Sequence, residues 1–266
     1  MGREIGTPPA VHPPKQVRSE PRPVARPIER DHHAQTRVRF PTAETSEKLL
    51  HSASVTPIVR EQYNKLAAGI HQLQLERHLK VVMVTSAVPH EGKTLTAANL
   101  ALTLSESYER RVLLIDGDLR HPTVHTVFGV PNARGLSDSL AAHGQLPLVE
   151  LNSRLWLLTA GSGGGDPMKT LTSDRMRVLI DDARAVFDWI LVDTPPIGLL
   201  PDAGLVASAA DGALFVVLAG RTPYDLIQRA AEAVGSDRIL GVVLNGMDEH
   251  EVPAGYYGDY YGGSNG

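Results

Sequence analysis

Five short runs dominated by aliphatic residues recur along this chain: VVMVT at 81–85, RVLLID at 111–116, WILVD at 189–193, ALFVVL at 213–218 and ILGVVL at 239–244. They do not alternate apolar with polar, so each suits a strand buried on both faces, and the longer amphipathic stretches between them suit crossover helices. The pattern predicts a doubly wound α/β fold around a mostly parallel sheet. Ligands of such sheets sit beyond the carboxyl ends of the strands, so the residues that directly follow each run are where chemistry is expected.

The two ends of the chain do not share this pattern. Eight of the 19 prolines lie in the first 41 positions, and residues 1–45 hold 8 Lys/Arg against 5 Asp/Glu. Such a segment cannot bury enough apolar surface to offset the entropy of ordering, and residues 1–47 are expected to form a disordered, partly polyproline arm. Its net +3 suits a solvated linker or an anionic surface, while the remainder carries a net −7. His32 and His33 lack a histidine or acidic partner at helical spacing, which argues against a metal site. There is no cysteine, so disulfides and thiolate chemistry are excluded. No apolar run reaches the roughly 20 residues that span a bilayer, and no signal-peptide core is present, so a cytoplasmic protein is expected, reaching a membrane through a partner. Residues 48–248 are read as one folded domain and 249–266 as a flexible tail, containing GYYGDYYGG, that carries four of the seven tyrosines: Tyr256, Tyr257, Tyr260 and Tyr261.

Directly after the first run comes TSAVPHEGKTLTAANLALTLSES. Gly92, Lys93 and Thr94 match the end of the phosphate-loop pattern, while Ala87 stands where that pattern has its first glycine. Gly92 lets backbone approach phosphate oxygens, the amides of the helix that begins near Lys93 point at them, Lys93 neutralises the β and γ phosphates, and Thr94 offers a hydroxyl to Mg²⁺. Two other runs end in acids. VLLIDGDLR puts Asp116 and Asp118 two apart at a strand terminus with Arg120 following, and ILVDTPP puts Asp193 at another. Acids at strand ends beside a phosphate loop suit Mg²⁺, a hard cation that prefers oxygen ligands and keeps much of its water.

Together SAVPHEGKT, VLLIDGDLR and ILVDTPP resemble the Walker A, A′ and B motifs of the bacterial tyrosine kinases, cytoplasmic autokinases that accompany capsular and exopolysaccharide export. The resemblance extends over about residues 58–261 and takes in GLSDSLA, DGALFVVLAGRT, GVVLNGMD and the terminal tyrosines. It implies a P-loop NTPase fold of the deviant-Walker, partition-like type and ATP with Mg²⁺ as the bound species. It further implies nucleotide contacts from Glu91, Gly92, Lys93, Thr94, Leu95 and Arg120, and metal support from Thr94, Asp116 and Asp193. Asp116 would receive the phenolic proton, Asp118 would assist metal or substrate positioning, and Asn245 would contact adenine unless it is simply a turn residue. Asp202 is either an acid near the site or the N-cap of the helix that follows it.

The same resemblance makes Tyr256, Tyr257, Tyr260 and Tyr261 the phosphorylated residues, with a Gly/Tyr-rich docking segment as the other reading of the tail. From Gly246 to Tyr256 the connector is about ten residues, long enough to reach some 30 Å when extended. The expected partners are a membrane-spanning polysaccharide co-polymerase on a separate chain, a phosphotyrosine phosphatase and further copies of this chain in a ring; no nucleic acid is expected. The family's E-x-x-R-x-x-R oligomerisation motif aligns with EQYNKLA, keeping Glu61 but placing Asn64 and Ala67 where the arginines stand. A partition-type ATPase and an ATP-binding scaffold without kinase activity are the alternatives. The former usually carries an extra lysine early in the phosphate loop, absent from TSAVPHEGKT.

Overall fold

In the computed structural model, residues 34–37, 40–42, 44–141, 146–163, 171, 174–197 and 201–247 are described. All five aliphatic runs are strands. The sheet among these residues comprises β1 (Ala34–Arg37), β2 (Val81–Ser86), β3 (Val112–Asp116), β4 (Leu148–Asn152), β5 (Leu155–Leu158), β6 (Trp189–Asp193), β7 (Gly212–Leu218) and β8 (Ile239–Asn245). Their order is β1-β4-β5-β3-β6-β2-β7-β8, and every neighbouring pair is parallel except β4 with β5.

Alternate residues of each central strand feed opposite faces, as the pleat requires. Val82, Val84, Val112, Leu114 and Leu191 pack under α1 (Pro57–Arg77), α2 (Lys93–Glu106) and α3 (Val124–Phe128). Met83, Leu113, Ile115, Ile190 and Val192 face α4 (Leu136–Ala141), α5 (Asp174–Val186), α6 (Pro201–Ala209) and α7 (Tyr224–Val234). With helices on both faces, each central strand is wholly buried, which is why these strands read as unbroken apolar runs. Helix α2 lies between the sheet and α1, and ten of its 14 residues are buried. Its Ala97, Ala98 and Ala101 let its backbone approach the strands closely.

Three strands lie outside the runs. β4 and β5 form a hairpin toward one edge of the sheet, where Glu150 and Asn152 alternate with buried Leu148, Val149 and Leu151, so a search for unbroken apolar runs passes over them. β1 falls within the segment expected to be a disordered arm. Within that segment Ala34–Arg37 pairs with β4. Further on, Asn99 of α2 holds the chain at two points, accepting from Leu50 N–H at 3.0 Å and donating to the Lys48 carbonyl at 3.2 Å. Leu49 is fully buried beside them.

On α1, Glu61 and Asn64 are exposed but Ala67 is completely buried against α2. An arginine at 67 would have to enter the core, so the departure from the expected motif at that position is also a packing choice. Among the described residues no helix is long and apolar enough to cross a membrane.

Candidate active site

The loop from Ala87 to Gly92 leaves β2 at the centre of the sheet, where the chain next crosses over β6 to β3. Gly92 takes φ +90°, and a Cβ there would run into the Asn245 amide at the end of β8. Glycine is required both by conformation and by room. Lys93 then opens α2, so the first free amides of this 14-residue helix face the cleft above the strand ends.

Opposite them stand the expected acids. β3 and β6 are in register so that Asp116 lies beside Asp193, and both are wholly buried. Thr94 Oγ1 donates to Asp193 Oδ2 at 2.7 Å, whereas Asp193 Oδ1 is buried without a hydrogen-bond partner. Asp116 Oδ1 accepts from Asp118 N–H at 3.3 Å, and its Oδ2 accepts from Thr123 N–H at 3.2 Å and Val124 N–H at 3.1 Å. Asp118 accepts from His121 N–H at 3.0 Å through Oδ1 and lies 3.9 Å from the Lys93 ammonium through Oδ2.

Burial, and then the proximity of Asp193, push the Asp116 carboxyl well above its ordinary range. Asp193 is raised to about 7, again chiefly by burial, with Lys93 and the Thr94 hydroxyl pulling against it. Two carboxyls crowded away from water, one with an unpartnered oxygen, form a site that favours a cation. The fit is to Mg²⁺ rather than to a metal caged by protein: among the described residues no cluster of three or more acids or histidines is arranged to ligate an ion. Mg²⁺ typically takes one or two carboxylates and completes its shell with water and phosphate.

The structure therefore gathers Lys93, Thr94, Asp116, Asp118 and Asp193 at one point. Glu91, Gly92 and Asn245 meet on the β7–β8 side of it, with Asn245 Nδ2 donating to the Glu91 carbonyl at 2.9 Å. Leu95 is half-buried in the first turn of α2, and Arg120 is exposed on the segment after β3. Asp202 is the second residue of α6 rather than its N-cap, and its side chain lies outside the described residues. So do Tyr256, Tyr257, Tyr260 and Tyr261.

Two threonines were not singled out from sequence. Thr123 Oγ1 is 3.1 Å from Thr94 Oγ1, and its backbone holds Asp116. Thr222 donates its hydroxyl to Glu91. Thr222 ends the stretch DGALFVVLAGRT, which carried a signal, but nothing near Thr123 marked it.

No protein-family model matches the chain. Among curated proteins it is 38% identical over 205 residues to the tyrosine-protein kinase YwqD of Bacillus subtilis, covering 74% of this chain and 86% of that one. It is 33% identical over 210 residues to the succinoglycan biosynthesis transport protein ExoP of Rhizobium meliloti, covering 76% of this chain but only 26% of that longer protein. Among solved structures, the kinase domain of the Escherichia coli tyrosine kinase ETK superposes with a TM-score of 0.67 at 30% identity, covering 71% of this chain and 75% of that one. The septum site-determining protein MinD of Pyrococcus horikoshii, at 22% identity and a TM-score of 0.55 over 68% of this chain and 76% of that one, shares the fold.

Proposed function

The chain belongs to the bacterial tyrosine kinases of capsule and exopolysaccharide biosynthesis, and from that membership we propose that it transfers the γ-phosphoryl group of ATP to its own C-terminal tyrosines. The observation that carries the reading is the 2.7 Å bond between Thr94 and Asp193, which sets the hydroxyl of a phosphate loop against a buried carboxyl at the strand ends.

Phosphoryl transfer through a loose transition state needs positioning and charge neutralisation more than covalent help. The amides at the start of α2 and the Lys93 ammonium, 3.9 Å from Asp118 Oδ2, receive the phosphates. Thr94 and Asp193 would hold Mg²⁺, with Asp116 beside them, and the ion would supply charge neutralisation on the phosphates. Asp116 accepts the phenolic proton of the incoming tyrosine. A carboxylate can take that proton late in the transfer, once the new bond to phosphorus has made the phenol, of ordinary pKa about 10, more acidic, so Asp116 needs no shifted value to act as the base. Asn245 has its amide nitrogen engaged with the phosphate loop, which leaves its carbonyl oxygen for an adenine amino group. Arg120 steadies the A′ segment or a phosphate.

Tyr256, Tyr257, Tyr260 and Tyr261 are the acceptors, in the same chain or in a neighbouring copy. Each phosphate adds roughly −1.5 to −2 charges, so a modified tail is repelled by the acidic cleft, and a phosphatase resets it. A membrane co-polymerase on another chain is the activator, and it brings the kinase to the inner face of the membrane. The match to a quarter of ExoP, a protein named for succinoglycan transport, supports a transport partner for the kinase.

The test is incubation with γ-labelled ATP and Mg²⁺, with and without the cytoplasmic segment of a co-polymerase, followed by mapping of phosphotyrosine. Label is expected on the four tail tyrosines and is abolished by Lys93→Met. ATP hydrolysis without tyrosine label under activated conditions would overturn the autokinase reading.

A further inference from the structure

Glu91 precedes the glycine of the phosphate loop and is 1% exposed, yet its carboxylate is engaged within the protein. Oε2 accepts from Val88 N–H at 2.8 Å, closing the loop on itself. Oε1 accepts from Leu218 N–H at 3.1 Å, at the end of β7, and from the hydroxyl of Thr222 in the turn that joins β7 to α7. That turn is tied in its own right to β8, since Ala219 N–H donates to the Asn245 carbonyl at 2.8 Å while Asn245 Nδ2 returns to the Glu91 carbonyl at 2.9 Å. Phosphate loop, β7–α7 turn and the end of β8 thus form a closed ring of hydrogen bonds.

The backbone on either side of Glu91 shows why the ring matters. His90 has φ +65° and Gly92 φ +90°, so the loop crosses the left-handed region twice within three residues, once at a residue with a side chain. A non-glycine residue held there persists only when its surroundings over-determine it. Three donors converging on one buried carboxylate provide that restraint, and charge-assisted hydrogen bonds are the strong ones.

We propose that Glu91 is a positioning residue rather than a nucleotide ligand: together with Thr222 it clamps the phosphate loop to the β7–α7 turn in the shape that receives the phosphates. The clamp rests on the reading of residues 87–95 as a phosphate loop. Released from it, the loop relaxes at His90 and Gly92, and the ordering it has lost must be supplied by the nucleotide phosphates on binding. The effect is therefore confined to ligands that carry phosphates.

Calorimetric binding of ATP and ADP, and NMR titration of adenosine, to the full chain and to Glu91→Gln, Thr222→Val and Thr222→Ser test this. Glu91→Gln should weaken ATP and ADP about tenfold and Thr222→Val about threefold, adenosine should be unchanged, and Thr222→Ser should restore the parent affinities. Should Glu91→Gln fail to fold, the Thr222→Val and Thr222→Ser pair decides the matter alone. ATP affinities of the folded variants within twofold of the parent, equal losses for adenosine and ATP, or no rescue by serine would overturn the clamp. A parent protein that itself binds neither ATP nor ADP would overturn the phosphate-loop reading and the clamp with it.

Discussion

The two ends of the sheet treat their carboxylates in opposite ways. At the amino end, Asp211 accepts from Lys80 N–H at 2.7 Å, from Val81 N–H at 2.8 Å and from both terminal nitrogens of Arg184 at 3.0 and 2.5 Å. Burial pushes Asp211 up, but these bonds outweigh it and hold the group below its ordinary value. Asp188, ahead of β6, accepts from Arg111 N–H, and the Arg111 guanidinium lies over the rings of Trp156 and Phe187. At the carboxyl end, Asp116 and Asp193 crowd each other in register and both are raised. One end is built to be satisfied as it stands. The other keeps two buried acids side by side, a tension that the proposed Mg²⁺ would relieve.

Substitutions at each end separate these roles. Asp193→Asn should lower tail phosphorylation at least 100-fold, about 3 kcal/mol of transition-state stabilisation. The same change should raise the melting temperature of the ligand-free protein at pH 8, because it removes a buried charge. A fall in both activity and stability would break the comparison. Asp211→Ala should do the reverse, leaving a guanidinium and two strand amides without their acceptor. Since both side chains are partly exposed (29% for Arg184 and 23% for Asp211), the expected cost is about 2 kcal/mol in urea unfolding, less than for a fully buried pair.

A smaller effect follows from pH. The folded protein holds the Asp193 proton up to about 7 while an ordinary aspartate releases it near 3.8. The folded state thus binds more protons between those values, and this group's contribution to stability falls as pH rises through that window. Asp211 works the other way: its contribution is complete above its ordinary value and is lost as pH falls through its lowered one. Unfolding of the ligand-free protein followed from pH 4 to 8 should show the first slope, and Asp193→Asn should flatten it. The smallest effect is expected far from either end, where Asn64→Arg on exposed α1 should change unfolding free energy by less than about 0.5 kcal/mol. A larger change that depends on protein concentration would instead reveal association through that helix.

Much of this arrangement is legible in the sequence because it is local. Each aliphatic run ends within one residue of its strand's end, so Asp116 and Asp193 are found by reading to the end of an apolar stretch, and Lys93 and Thr94 by reading one motif. The hairpin of β4 and β5 is not legible in that way, since strands toward the edge mix polar with apolar residues. Nor is the burial of Ala67, which depends on which face of a weakly amphipathic α1 meets α2. Thr222 lies 131 residues from Glu91, and no local pattern joins them.

The sequence by itself determined the doubly wound sheet, the phosphate loop and the strand ends that carry the acids, because burial on both faces and the geometry of a loop entering a helix leave their marks on neighbouring residues. Only the tertiary structure decided which carboxylates are at ease and which are strained. Asp211 and Asp193 are the same residue type, each at one end of a buried strand. What separates them is that Asp211 lies partly exposed against the Arg184 guanidinium and two strand amides, whereas Asp193 is wholly buried at the centre of the sheet, a matter of sheet order and register.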